Sequence, residues 1–125
     1  MMVDKRILNW DYDPKRDIIF IFSFPNYDYQ ESFKMGNMMV DLDSNGKPVA
    51  LEITSSSESL GVVRGSLIGH LNFSIEISAK RRSLKVNASF KFSSEKGVIE
   101  RTLLKEAKME NKTILKNYLK PVYSQ

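Results

Sequence analysis

A chain of 125 residues without cysteine excludes disulfides, zinc ribbons and thiol nucleophiles together, and 42% hydrophobic with 27% charged residues excludes a disordered chain. No apolar run reaches the roughly 18 residues that a membrane-spanning helix needs, and MMVDKRILNW has neither an h-region nor a small-residue cleavage site. A cytoplasmic protein without membrane contact is therefore expected.

The length suits a single compact domain, 1–125. Its net charge of +4 is unevenly held: residues 1–61 carry 6 Lys and Arg against 10 Asp and Glu, and residues 62–125 carry 13 against 5. The asymmetry suggests two sub-halves, an acidic hairpin pair over 1–60 and a basic hairpin with C-terminal helices over 62–125. Such a split suits a basic face for nucleic acid or an acidic partner, and it equally suits attraction between the halves or between subunits.

Ile7 to Tyr12 reads as a first strand, with Leu8, Trp10 and Tyr12 alternating against Asn9 and Asp11. Asp13-Pro14-Lys15-Arg16 has type I turn chemistry, since Asp bonds the backbone ahead of it and Pro presets φ. Ile18 to Phe24 is apolar on both faces, which predicts the core strand of the domain. Pro25-Asn26 ends it, and a Tyr-rich polar connection follows, with a short edge strand expected around Gln30 to Lys34. Tyr27 and Tyr29 suit either surface contacts or aromatic lids over one end of the core.

Met38 to Asp43 and Pro48 to Ile53 form a second hairpin around Asn45-Gly46, whose residues accept the positive φ of a tight turn. Pairing outward sets Leu42 against Val49, Val40 against Leu51 and Met38 against Ile53, with Asp41, Asp43 and Glu52 on the other face. Ser55 to Glu58 has capping-box spacing for one helical turn. Residues 54–70, punctuated by Gly61, Gly65 and Gly69, join the two halves.

Leu71 to Ala79 and Leu84 to Phe92 make a third hairpin around Lys80-Arg81-Arg82-Ser83. Its pairing runs from Ala79 with Leu84 to Leu71 with Phe92, one face apolar and the other wet. From Val98 to Met109, Ile99, Leu103 and Ala107 recur at i, i+4 and i+8, and Ile114, Leu115, Tyr118 and Leu119 repeat the motif. This spacing predicts amphipathic helices over one apolar sheet face, whereas strands would place Arg101 or Glu100 among core positions. The expected fold class is α+β: antiparallel hairpins in a sheet or small sandwich, with C-terminal helices. An all-β sandwich is the alternative.

Tyr12, Asp13, Asp17 and Ile18 to Ile21, followed by Asp41, Asp43, Gly46, Val49, Leu51, Glu52 and Ile53, match two segments, YD-x-x-x-D-h-h-h-h and D-x-D-x-x-G-x-h-x-h-E-I. In these the stretch from Trp10 to Ile53 resembles the uncharacterised family called domain of unknown function 2283, with Ala50 where members often have Gly. The resemblance implies a short β protein without assigned chemistry. It also implies an antitoxin-type binding role, from the position of some members beside small toxin-like proteins.

Asp41, Asp43, Asn45, Gly46 and Glu52 satisfy the EF-hand loop spacing, with oxygen ligands at positions 1, 3, 5 and 12. Period-two flanks in place of helices, and Pro48 at loop position 8, argue instead for a hairpin with a polar side. Asp11, Asp13 and Asp17 could join Asp41 and Asp43 as a hard-cation or acid–base group, or could be turn formers and a wet side chain. His70 is the only histidine, with no partner spacing for a triad, and there is no nucleophile elbow, P-loop or dinucleotide fingerprint. Lys80, Arg81 and Arg82, with Arg64, Lys85 and Lys91, form the candidate basic surface, either a phosphate-contacting β-ribbon or a charged face that blunts an edge.

The expected function is a non-catalytic protein–protein interaction module of antitoxin type, with no cofactor and no bound metal, its partner another protein or a second copy. The alternatives are a β-ribbon nucleic-acid-binding protein using the basic hairpin, and a metal-dependent enzyme at the acidic turns.

Overall fold

A computed structural model describes residues 4–7, 9–22, 30–44, 48–69, 71–80, 83–108 and 121–124. Among these residues, ten strands form two five-stranded sheets. The first, sheet A, takes β1 (Asp4–Ile7), β10 (Pro121–Ser124), β7 (Leu71–Lys80), β8 (Ser83–Ser94) and β9 (Gly97–Lys108), in that order across the sheet. The second, sheet B, is ordered β2 (Asn9–Asp13), β3 (Ile18–Phe22), β6 (Pro48–Ile53), β5 (Met38–Leu42) and β4 (Glu31–Met35). Pairing is antiparallel except for β1 with β10. One short helix, α1 (Ser56–Leu60), and a 3₁₀ turn (Arg64–Leu67) occupy the joint between the sheets.

Period-two alternation builds both inner faces. In sheet B, Ile19, Ile21, Val40, Leu42, Leu51 and Ile53 are buried, and in sheet A so are Phe73, Ile75, Val86, Ala88 and Phe90. Leu60 and Leu67 from the joint complete one hydrophobic cluster to which both sheets contribute. Each such fully buried Leu, Ile or Phe stabilises the folded chain by about 1.5–3 kcal/mol.

The third hairpin has the register expected from its sequence along its whole length, from Lys80 opposite Ser83 to Leu71 opposite Phe92. The second hairpin holds its expected pairs at Met38 with Ile53 and Val40 with Leu51. Nearer its turn, an irregularity between Asp41 and Leu42 sets Leu42 opposite Pro48 in place of Val49. Pro48 has no N–H to give the ladder, so a strand that starts on it pairs irregularly there. Asn45-Gly46 itself lies outside the described residues. β3 lies inside sheet B, but only its inner row is fully buried, while Ile18, Phe20 and Phe22 on the outer row are half-buried.

The expectation of an α+β fold with C-terminal helices is overturned. Gly97–Lys108 is a twelve-residue strand paired with β8 from end to end, and the lone α-helix among the described residues lies mid-chain. The spacing of Ile99, Leu103 and Ala107 misleads because four is a multiple of two as well as close to 3.6, so these residues share one face of a strand too. Arg101 does enter the inner row, as a strand requires, but β9 is an edge strand and Arg101 remains exposed. The segment from Ile114 to Leu119 lies outside the described residues.

Candidate functional site

Asp17 is the only charged side chain among the buried polar residues described, at 5% exposure. It ends the β2–β3 turn with φ 57, a left-handed conformation that Asp tolerates better than most residues. At the other end of that turn Asp13 Oδ1 accepts the N–H groups of Lys15 and Arg16, as its turn chemistry predicts. Those bonds, the Arg16 backbone bond foremost, hold the Asp13 carboxyl below its usual value.

The Asp17 carboxylate is surrounded by donors. Tyr12 Oη donates to its Oδ1 at 2.6 Å, Ser57 Oγ to its Oδ2 at 2.7 Å, and the Ser57 N–H is shared between them at 3.1 and 3.2 Å. Its backbone carbonyl accepts the Ser56 N–H at 2.9 Å. The first N–H groups of a helix have no partner within it, and two of them in α1 are met by Asp17 from forty residues away. Ser55, the expected capping residue, makes no side-chain capping bond. At the other end of α1, Gly61 in the left-handed region lets its own N–H reach Glu58 O and the Val62 N–H reach Ser57 O, a Schellman closure.

Ser56, fully buried, receives the Ile19 N–H on its Oγ and donates that hydroxyl to Ile53 O, tying α1 to β3 and β6. Arg64 closes the outside, donating Nη1 to Pro14 O at 2.7 Å and holding Nε 4.0 Å from Asp17 Oδ2. Burial works to raise the Asp17 pKa, but the bonds from Tyr12 and Ser57 and the charge of Arg64 outweigh it, so the carboxyl sits below its usual value. Tyr12 is pushed up to about 12, by burial first and by Asp17 second.

The chemistry of this cluster is that of a latch. Both carboxylate oxygens of Asp17 are already occupied, and a phenol near 12 neither gives nor takes a proton at neutral pH. Sequence reasoning placed Asp17 among the turn formers and missed its burial. The signal available was Tyr12-x-x-x-x-Asp17 within the family-like segment, together with a run of serines forty residues on.

The other acidic candidates do not converge. Asp41 faces Ala50 across the ladder and accepts a hydrogen bond from Ser32 Oγ at 2.6 Å, while Glu52 faces Met39 and Phe20. Among the described residues, no group of three His, Asp or Glu side chains is placed to hold a metal ion. Asp43 follows β5, and Asn45 lies outside the described residues.

The basic candidates divide. Arg64 belongs to the latch, and Lys85 and Lys91 are exposed on the outer row of β8. Lys80 ends β7, while Arg81, Arg82 and His70 lie outside the described residues, as do Tyr27 and Tyr29. Directly opposite Lys85 and Lys91 on β9 stand Glu106 and Glu100, so the outer row is mixed in sign.

The remaining feature is the β9 edge, which has β8 beside it on one side and no described strand on the other. Ser94 and Gly97 close the two-residue β8–β9 turn, so the ladder bonds to β8 fall on the odd-numbered residues of β9. Val98, Glu100, Thr102, Leu104, Glu106 and Lys108 therefore turn their backbone groups outward, with side chains on the outer face. Val98 and Leu104 are 73% and 57% exposed there. Arg101, on the inner row, donates Nε to Leu60 O at 3.1 Å and Nη1 to the outward carbonyl of Glu100 at 3.0 Å.

No curated protein and no solved structure matches the chain. Residues 9–57, from the first residue of β2 to the Ser57 that Asp17 holds, match the family model described as protein of unknown function (DUF2283).

Proposed function

We propose that the protein is a polypeptide-binding domain, antitoxin-like in being a small chain that engages another protein chain, and that it binds by strand addition to β9. The observation that carries this reading is the twelve-residue edge strand itself, with outward backbone groups and two exposed apolar side chains. An added strand gains main-chain hydrogen bonds along such an edge, and its alternate side chains meet the exposed row. The saturated Asp17 latch supports the same reading, since its groups hold the scaffold.

Thr102→Pro tests it. The Thr102 N–H points away from β8, so proline there removes an edge donor without taking a bond from the β8–β9 ladder. The variant is expected to keep its circular dichroism and melting transition and to lose complex formation. Amides of Glu100, Thr102, Leu104 and Glu106 are expected to gain hydrogen-exchange protection only in the complex. A complex that survives Thr102→Pro and leaves those amides exchanging freely would overturn the assignment.

A second reading is nucleic-acid binding by the β7–β8 ribbon, favoured by the exposure of Lys85 and Lys91 on β8, with Arg81-Arg82 between the two strands in the sequence. Phosphate contacts by this ribbon would show as duplex affinity that falls steeply with salt and weakens in Lys85→Glu/Lys91→Glu. Salt-independent or absent binding removes this reading.

A further inference from the structure

The outward row of β9 reads Val98, Glu100, Thr102, Leu104, Glu106, Lys108, with Ile99, Arg101, Leu103, Lys105 and Ala107 between them on the inner row. A strand that pairs antiparallel with its own copy does so about a two-fold axis, so residue i meets residue j and j meets i. The position of the axis decides every pair at once.

With the axis on Leu103, Glu100 faces Glu106 and Arg101 faces Lys105, two like-charge pairs on each side of the axis. On Thr102, the axis sets Glu100 against Leu104 and Val98 against Glu106. On Lys105 it sets that ammonium against itself, and on Glu106 it does the same to a carboxylate. On Leu104 no conflict remains within Glu100–Lys108: Leu104 meets Leu104, Thr102 meets Glu106, and Glu100 meets Lys108 on both sides. The inner row follows suit, with Arg101 facing the small Ala107 and Lys105 laying its stem against Leu103. Cross-strand apolar and opposite-charge pairs stabilise a ladder, while like charges directly opposite destabilise it.

We infer that β9 pairs antiparallel with β9 of a second copy of this chain, about a two-fold axis at Leu104, joining two copies of sheet A into one ten-stranded sheet. The inference rests on the reading of β9 as the binding edge and names its occupant. Neighbouring side chains fit it. Ser89 and Ser83 of β8 hydrogen-bond Thr102 and Glu106, whereas no ion pair among the described residues engages Glu100 or Lys108. Lys91 stands opposite Glu100 within the chain, so Lys108 of the second copy extends a ladder of alternating sign. The Glu100 carbonyl that Arg101 already reaches has a second lone pair for the Lys108 N–H of the second copy.

Sedimentation equilibrium on the full chain, from about 1 to about 300 µM, is the test, since an edge contact of modest area gives dimers in the micromolar range. Glu100→Lys and Lys108→Glu are each expected to weaken the dimer about tenfold or more, and the double exchange Glu100→Lys/Lys108→Glu to restore it. Leu104→Lys, which places two ammonium groups across the axis, is expected to give a folded monomer, because Leu104 contributes little to the buried core. A wild-type chain monomeric throughout that range overturns the second copy as occupant. If a complex with a different protein is then still abolished by Thr102→Pro, the edge reading stands and only the occupant is wrong. A dimer indifferent to Leu104→Lys, or a double exchange that fails to restore association, overturns the register.

Discussion

Asp17→Asn is the substitution that reads the latch most directly, because Asn preserves the size of the side chain and tolerates the left-handed φ of 57. Three donor groups converge on the carboxylate: Tyr12 Oη at 2.6 Å, Ser57 Oγ at 2.7 Å and the Ser57 N–H at 3.1 and 3.2 Å. An amide offers one acceptor oxygen, so its NH₂ must face a donor at a site only 5% exposed. Hydrogen bonds to a charged group are each worth about 1.5–3 kcal/mol, and relief from burying a carboxylate returns part of that. The expected loss is about 2–4 kcal/mol, or a fall of roughly 10 °C in Tm for a chain of this size. The folded carboxyl lies below its usual value. Its contribution is therefore fully present above the unfolded pKa near 4 and is lost as pH falls through the folded value. Urea unfolding followed by the fluorescence of Trp10, the single tryptophan, should show the full deficit at pH 7 and a smaller one near pH 3. A deficit below about 1 kcal/mol at pH 7, or one equal at both pH values, would refute the latch as described.

At alkaline pH the same cluster predicts the opposite edge of the stability profile. Tyr12 is pushed up to about 12, so its contribution is complete below the ordinary phenol value near 10 and is lost as pH rises through 12. That loss amounts to about 2–3 kcal/mol and should be absent in Tyr12→Phe, as melting curves between roughly pH 9 and pH 12 would show. Gly61→Ala isolates backbone strain, because a Cβ there meets nothing within 4 Å while φ is 67. Thermal denaturation should register a cost of about 1 kcal/mol, and a much larger one would mean that Gly61 is needed for packing.

The sequence shows most where side-chain alternation and turn chemistry agree. Leu71 to Phe92 is the clearest case, since each inward residue of one strand meets an inward residue of the other and a slip would bury serines and lysines. The Asp13 turn was equally plain, as its carboxylate accepts the N–H groups of Lys15 and Arg16 just ahead of it. What stayed hidden depends on long-range contact. The burial of Asp17 needs α1 to arrive from forty residues away, and no local rule separates such a residue from a wet turn former. β9 was hidden for a different reason. A spacing of four fits both periods, and the charges at Arg101 and Lys105 are tolerated only because the strand lies at an edge, a fact of sheet order. Arg64 is a similar case, since it reads as one more cation until its guanidinium is seen to close the latch.

The boundary of the family match clarifies how these parts divide. Residues 9–57 begin where sheet B begins and end at Ser57, so the matched unit contains β2 to β6 and both partners of the Asp17–Ser57 bond. A segment closed by its own latch still has one apolar face, formed by Ile19, Ile21, Val40, Leu51 and Ile53, each at most 2% exposed in this chain. Here the cover is sheet A, whose inward Phe73, Ile75, Val86 and Phe90 join the same cluster. Every strand of sheet A lies outside the match, β1 before it and β7 to β10 after it. The proposed binding edge is therefore carried by residues that the family description does not reach. The latch and β9 consequently make independent claims: breaking Asp17 should weaken the scaffold and everything attached to it, whereas blocking the outward row of β9 should remove binding from a scaffold left intact.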